Sequence, residues 1–309
     1  SLQATYLEWQ QSDARFGQSC QMCHMPDVVS GAYVATQSRQ PRSPFRQHTF
    51  PGGNVTLIDM LADHGSELGA GYLQDVLDAA RSDQRDFMRT QAADVTIRSV
   101  RRLGGQLQIV VAVQSRVGHK FPSGFPSRRA WLHLRVVDAS GAAVFESGHV
   151  GPDGRIEGDD ASAEKGGFEP HYRIIDSPDK VQIYEAVLAS AAGATTRLTQ
   201  ANGWLKDNRL LPVGYESSGG DDPTAVVGRA AQDDDFEGGG DVVQYDVPLN
   251  GTSGPYQIVV TLFYQSLSSP WAEAMRGIPS AEAERLLGYL SETPPETLLV
   301  SESETTFSP

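Results

Sequence analysis

The sequence predicts an α+β fold in which a helical and irregular N-terminal segment precedes an antiparallel β-sandwich. Three observations carry this reading. Apolar residues between 57 and 77 recur at helical spacing, and from about residue 93 the period changes to alternation. Eight or so strand candidates then follow one another across Gly, Asp and Ser turns with no long helix between them. The expected divisions are 1–92, which carries the motif described below, 93–270 as the β-sandwich, and 271–309 as a short helix and extended tail.

Residues 5–12 read as a short amphipathic helix leading into Cys20. Between 25 and 54 the chain is dense in Pro, Gly, Ser and Arg without sustained periodicity, which predicts a structured loop. Leu57, Met60, Leu61, Leu68, Leu73, Val76 and Leu77 predict helices broken near Gly69 and Gly71. Strand candidates are 95–100, 107–113, 131–137, 144–146, 172–175, 181–188, 195–198, 242–247 and 256–264. The turn residues 138–142 predict a hairpin, and 214–241 a long loop. A helix over 281–290 precedes a Pro/Ser/Glu/Thr tail expected to be extended or frayed.

Composition removes several function classes. With 25 basic and 39 acidic residues in 309 the net charge is −14, which repels phosphate backbones, and Arg101-Arg102 and Arg128-Arg129 are too short to form a nucleic-acid stripe. No apolar run approaches the ~18 to 20 residues that span a bilayer. Two cysteines cannot staple a chain of this size. Hydrolase and nucleotide motifs are absent from the sequence. The chain opens at Ser1 without an initiator Met, a basic run or an apolar run, so an export signal is expected to have been removed, or the sequence to be a fragment.

Cys20-Gln21-Met22-Cys23-His24 has the C-x-x-C-H form of a c-type haem attachment site. Two thiols three residues apart reach the two vinyl groups of one porphyrin, and the next residue swings its imidazole onto the iron. A redox C-x-x-C would need a surrounding βαβ pattern, and a zinc site a second ligand pair; neither is present. The partner of His24 on the opposite face is open between His48 and His119. Each sits beside a Phe in a loop fixed by Pro and Gly, 47–53 and 118–124. Loop closure does not separate them, since the longer reach costs only ~1 kcal/mol more. Met60 and Met88 are the methionine alternatives, Met22 and Met25 being too close to His24 to cross the ring. His64 reads as surface, His133 as a sheet-face residue, and His171 has no assignable partner. Arg128 and Arg129 are candidates to pair with haem propionates.

The segments 8–12, 20–26 and 48–53 together resemble the last haem-binding segment of bacterial multihaem c-type cytochromes. The stretches 118–124, 181–185 and 206–214 resemble the β-rich C-terminal domain such cytochromes often carry. The resemblance implies haem c, bis-histidine ligation and electron transfer in the periplasm or at the cell surface, with other haem-bearing chains or redox proteins as partners. Members of that family usually carry several C-x-x-C-H motifs and this chain has one. Two loop histidines of ligand type beside one encoded haem point to a second haem nearby, from a further segment or a partner chain in a larger assembly. The acidic charge predicts a cationic partner.

Asp233, Asp235, Glu237 and Gly238 partly match a calcium loop, but position 12 is Gln244 instead of Glu, so only an irregular Ca2+ site using Asp233, Asp235 or Asp241 stays open. The leading functional reading is an electron relay and not an enzyme. Two rivals are a haem enzyme with an open distal face reducing peroxide or a nitrogen oxide, and a β-sandwich binding module whose haem is structural.

Overall fold

The computed structural model describes residues 3–161, 167–197, 201–217 and 222–309. The N-terminal part contains α1 (Thr5–Gln10), α2 (Cys20–His24), α3 (Val55–Asp63), α4 (Gly65–Leu68) and α5 (Gln74–Gln91). The strands are β1 (Ala93–Leu103), β2 (Gln106–Ser115), β3 (Arg129–Val137), β4 (Ala143–Ser147), β5 (Ile174–Ile175), β6 (Ile183–Ser190), β7 (Thr195–Thr196), β8 (Ala201–Asp207), β9 (Gly240–Pro248), β10 (Tyr256–Gln265) and β11 (Leu298–Phe307). Two helices, α6 (Ser269–Met275) and α7 (Ala281–Glu292), lie between β10 and β11. Helices and mostly antiparallel sheets make the chain α+β, as the change of period predicts.

Two sheets share one apolar core. One has the order β1-β2-β9-β5; the other runs β11-β10-β3-β6-β7, with β4 on β3 and β8 on β6. Alternation puts Ile109 and Val111 of β2, Tyr245 of β9, Leu132 and Leu134 of β3, and Ile258 of β10 into a single buried cluster. Each such side chain contributes ~1.5 to 3 kcal/mol by leaving water. The edges of the two sheets are also tied polar to polar: the Val95 and Ile97 amides of β1 donate to Ser301 and Ser303 of β11. The opposite face of β3 carries Trp131, packed in a smaller cluster with Ile156, Val181 and Ile183.

The hairpin at 138–142 forms, with Asp138 Oδ1 accepting from the Ser140 amide at 2.8 Å and Gly141 at φ +83°. The helical break falls at Gly69, φ +73°. Three elements depart from the sequence expectation. First, α5 runs on to Gln91 although past Leu77 it buries only Met88. Ion pairs hold it instead, Arg81 Nε to Asp59 at 2.7 Å and Arg85 Nη2 to Glu296 at 2.6 Å. Second, β8 pairs with β6 where the sequence predicts no strand. Third, the tail expected to be extended or frayed is a ten-residue strand along β10. Only Leu298 and Val300 are buried in it; Glu302, Glu304 and Thr306 face water, while Ser301 and Ser303 meet the β1 amides. Of the strand expected over 195–198, Thr195–Thr196 is strand and residue 198 lies outside the described residues, as do 218–221 of the expected long loop.

No helix among the described residues is long and apolar enough to cross a membrane. The N-terminal part is docked on the β-rich part by backbone bonds, the Asp13 amide donating to Val213 at 2.9 Å and the Glu216 amide to Gln11 at 2.9 Å. That docking positions the site.

Candidate functional site

Short helix α2 presents Cys20, Cys23 and His24 to a cavity of about 420 Å³, within the roughly 300 to 1,000 Å³ range of small-molecule and cofactor sites. Both thiols are exposed and unpaired. The walls come from separate elements: Tyr6 and Trp9 of α1, Phe87 and Met88 of α5, the loop after β2 with Gly118, His119 and Phe121, then Arg128, and Tyr264 from the end of β10. Aromatic and aliphatic faces dominate, and the polar groups are few and placed.

Two imidazoles face this cavity from opposite segments. The ring centroids of His24 and His119 lie 6.3 Å apart, with planes inclined by 12°. The Nδ1 of His24 is 2.7 Å from the Pro51 carbonyl oxygen, and that of His119 is 2.9 Å from the Lys120 carbonyl oxygen. A carbonyl only accepts, so each Nδ1 carries a proton, and in the neutral ring Nε2 keeps the lone pair. This is the tautomer in which imidazole ligates metals, oriented by a backbone acceptor behind it. Desolvation lowers the pKa of His119, which favours the same neutral form.

The loop bearing His119 rests on a buried ionic quartet. Glu8 of α1 forms an ion pair with Arg209, Nη1 to Oε1 at 3.0 Å, and accepts from the Lys120 amide at 3.1 Å. Asp207 accepts from Arg209 Nε and Nη2 at 2.9 and 2.7 Å and from Lys120 Nζ at 3.0 Å. Two cations and two anions balance, and all four side chains are buried. Desolvation pushes Asp207 up, but Arg209 and Lys120 outweigh it and hold the carboxyl below the usual range. Gly118 completes the anchor: a Cβ there would come within 2.6 Å of Ala14 Cβ, so only glycine lets the loop pack on the N-terminal segment.

The structure brings Cys20, Cys23, His24, His119 and Arg128 to one cavity and leaves His48 and Arg129 out of it. The His48 segment takes part through its backbone, since Pro51 supplies the acceptor for His24 and Gly52 and Gly53 line the wall. The His48 ring itself is exposed and lies 5.5 Å from the Phe50 ring. Arg128 lines the cavity and donates to the Ser123 carbonyl at 2.7 Å. Arg129 is buried elsewhere, donating to Asp159 at 2.7 Å, Gln265 at 2.9 Å and the Gly154 carbonyl at 3.0 Å. Met88 lines the cavity; Met22, Met25 and Met60 do not. The contacts that Glu8, Pro51 and Phe87 make at the site carry no sequence signal, because they arise only on folding.

Asp233 and one oxygen of Asp241 in the calcium-like stretch are engaged with protein donors. Asp233 accepts from His171 Nε2 at 3.2 Å and from the Asp235 amide at 3.0 Å, and Asp241 accepts from Tyr184 at 2.7 Å and Gln182 at 3.2 Å. Burial raises Asp241 to about 7, despite the Tyr184 hydrogen bond that opposes the shift. Below the unfolded value both states hold the proton. Between there and pH 7 only the folded state does, so stability falls as pH rises and the full penalty applies above pH 7. Asp241→Asn is therefore expected to gain a few kcal/mol relative to the native protein at pH 8 and almost nothing near pH 4. Thermal melts across that range check this, and an equal gain at both ends contradicts it.

No family model matches the sequence, and no curated protein is similar to it. One similar solved structure is the crystal structure of a penta-heme cytochrome c552 from Thermochromatium tepidum. It is 17% identical, superposes with a TM-score of 0.49, and is matched over 99% of this chain and 51% of its own length. The chain thus spans about half the length of the structure it matches.

Proposed function

We propose that the chain is an exported c-type cytochrome that relays electrons, with haem attached through Cys20 and Cys23 and held axially by His24 and His119. The observation that carries this is the 6.3 Å separation of two near-parallel imidazoles across the cavity beside both thiols. A metal held by both Nε2 atoms at about 2.0 Å each would set the two ring centres about 6 Å apart. When bound, haem supplies a one-electron iron couple. The chain's own residues orient both Nε2 lone pairs through Pro51 and Lys120. Trp9, Phe87 and Phe121 exclude water, and Arg128 offers a guanidinium to a carboxylate at the cavity rim. With His24 and His119 both holding the iron, neither imidazole would be free to act on a substrate, which favours relay over turnover.

On this reading residues 1–92 carry the cofactor, and the β-rich part is a scaffold that delivers His119. Export to the periplasm or cell surface follows from thioether attachment. The exposed His48, beside Phe50 and without a protein hydrogen bond among the described residues, is available to a second haem centre of a larger assembly. The relay partner is then another haem-bearing chain or a cationic redox protein.

Intact mass and haem staining of the denatured protein test the attachment. One covalently bound haem per chain is expected. Cys20→Ser with Cys23→Ser should remove the stain and the added mass completely, and a stain that persists in the double variant contradicts the assignment.

A further inference from the structure

Among the described residues, two clusters outside the cavity bring three metal-type ligands within 4.8 Å of one another: His171 with Asp233 and Asp241, and His133 with Glu146 and His149. The first is buried, but its histidine is committed. Its Nδ1 accepts from Gln182 Nε2 at 2.8 Å and Asn208 Nδ2 at 3.1 Å. Neither amide can turn round, because Gln182 Oε1 receives the Tyr172 amide and Asn208 Oδ1 the Glu185 amide. With Nδ1 held as acceptor, the proton sits on Nε2 and points at Asp233, so no lone pair remains for a metal there.

The second cluster has no such lock. His133 projects from the outer face of β3, and its ring lies against Phe263 at 5.9 Å. Glu146 projects from β4, opposite Arg135 in the ladder and thus on the same face as His133. Gly148, at φ +81°, then turns the chain so that His149 folds back; a Cβ at 148 would clash with the Leu132 carbonyl. The result converges on one oxygen: Glu146 Oε1 is 2.9 Å from His133 Nε2 and 3.6 Å from His149 Nδ1. Ligands on a shared metal with bonds of about 2.0 Å lie roughly 3 to 3.5 Å apart. Arg135 Nε stands 3.8 Å from the other oxygen, Oε2, which leaves Oε1 facing the histidines. The side chains are 17%, 31% and 48% exposed for His133, Glu146 and His149, so an ion can enter and keep water on its open positions.

We propose that His133, Glu146 and His149 form a site for a divalent first-row transition-metal ion of the zinc or copper class, bound by two imidazoles and one carboxylate. Imidazole with carboxylate suits these ions, and the three bonds leave coordination positions for water or an external ligand. The site is independent of the proposed haem function, since none of its residues lines the cavity.

The test titrates Zn2+ into the haem-loaded protein at neutral pH by calorimetry, after any free thiol has been blocked with iodoacetamide, and repeats it with His133→Ala, His149→Ala and His48→Ala. The native protein and His48→Ala should bind one equivalent. His149→Ala should weaken binding at least tenfold, and His133→Ala should abolish it. With Cu2+ in place of Zn2+, EPR should show nitrogen hyperfine structure from two imidazoles in the native protein and one in His149→Ala. A native protein that takes up no stoichiometric Zn2+, variants that bind as tightly as native, or uptake lost on removing His48 overturns the proposal. Melting temperatures within a few degrees of native show that the alanine variants have folded.

Discussion

Replacing His119 by Ala is expected to convert the ferric centre completely from low-spin six-coordinate to high-spin, while His48→Ala leaves the spectra of the chain's own centre unchanged. The expectation rests on which imidazole shares the cavity with His24. His119 stands 6.3 Å from it, and His48 is an exposed ring beside Phe50. Optical and EPR spectra of both variants decide the matter. His119→Met should keep six-coordination if the loop can place the thioether, with a raised potential, because a Met/His pair favours the reduced state more than two histidines do. Met88→Leu separates the remaining candidate: it lines the cavity, so thioether ligation would show as a loss of the low-spin signal in that variant. A low-spin His119→Ala protein would remove His119 as ligand and return the choice to Met88 and His48.

Much of this site is legible in the sequence because its chemistry is local. The Cys20–His24 spacing reads without a structure, and the Pro/Gly-fixed loops single out His48 and His119, of which only His119 reaches the cavity. What does not read is contact. Pro51 acts through a carbonyl that every residue has, so nothing in its identity announces the bond to His24. Arg128 and Arg129 are indistinguishable as neighbours in sequence, yet Arg128, in the loop before β3, lines the cavity, and Arg129, the first residue of β3, pairs with Asp159. The fold divides in the same way. Strands with two-residue apolar alternation, such as β2 and β10, are visible; the extension of α5 past Leu77 and the strand β11 are not, because few of their side chains are buried and their order comes from Arg81, Arg85 and the pairing with β10. His171, without a partner in sequence, finds three in space.

Asp207→Ala is expected to be the most destabilising single change near the site and to reach the spectrum as well. Removing that carboxylate leaves Arg209 and Lys120 buried with only Glu8 to oppose them, and breaking a buried pair from one side costs ~3 to 5 kcal/mol. For a chain of 309 residues each kcal/mol moves the melting point by about 1.5 °C, so a fall of roughly 5 to 8 °C is expected. The loss would not stay in the scaffold. Lys120 is anchored by Asp207 through Nζ and by Glu8 through its amide, and its carbonyl holds the His119 ring. A loop released at one of those points lets the imidazole turn, so the variant should show a mixture of low-spin and high-spin species or broadened low-spin lines at temperatures well below its melting point. The double variant Lys120→Met with Asp207→Leu separates the two effects. It removes one cation and one anion together, leaving Glu8 and Arg209 as a neutral pair, and should recover much of the stability because apolar replacements of a buried pair are often neutral. Since the Lys120→Met change leaves the backbone amide and carbonyl at that position in place, the bonds to Glu8 and His119 persist and the low-spin signal should return with the stability. Recovery of the melting point without recovery of the signal would mean that the Lys120–Asp207 bond itself, and not the backbone it anchors, sets the orientation of His119.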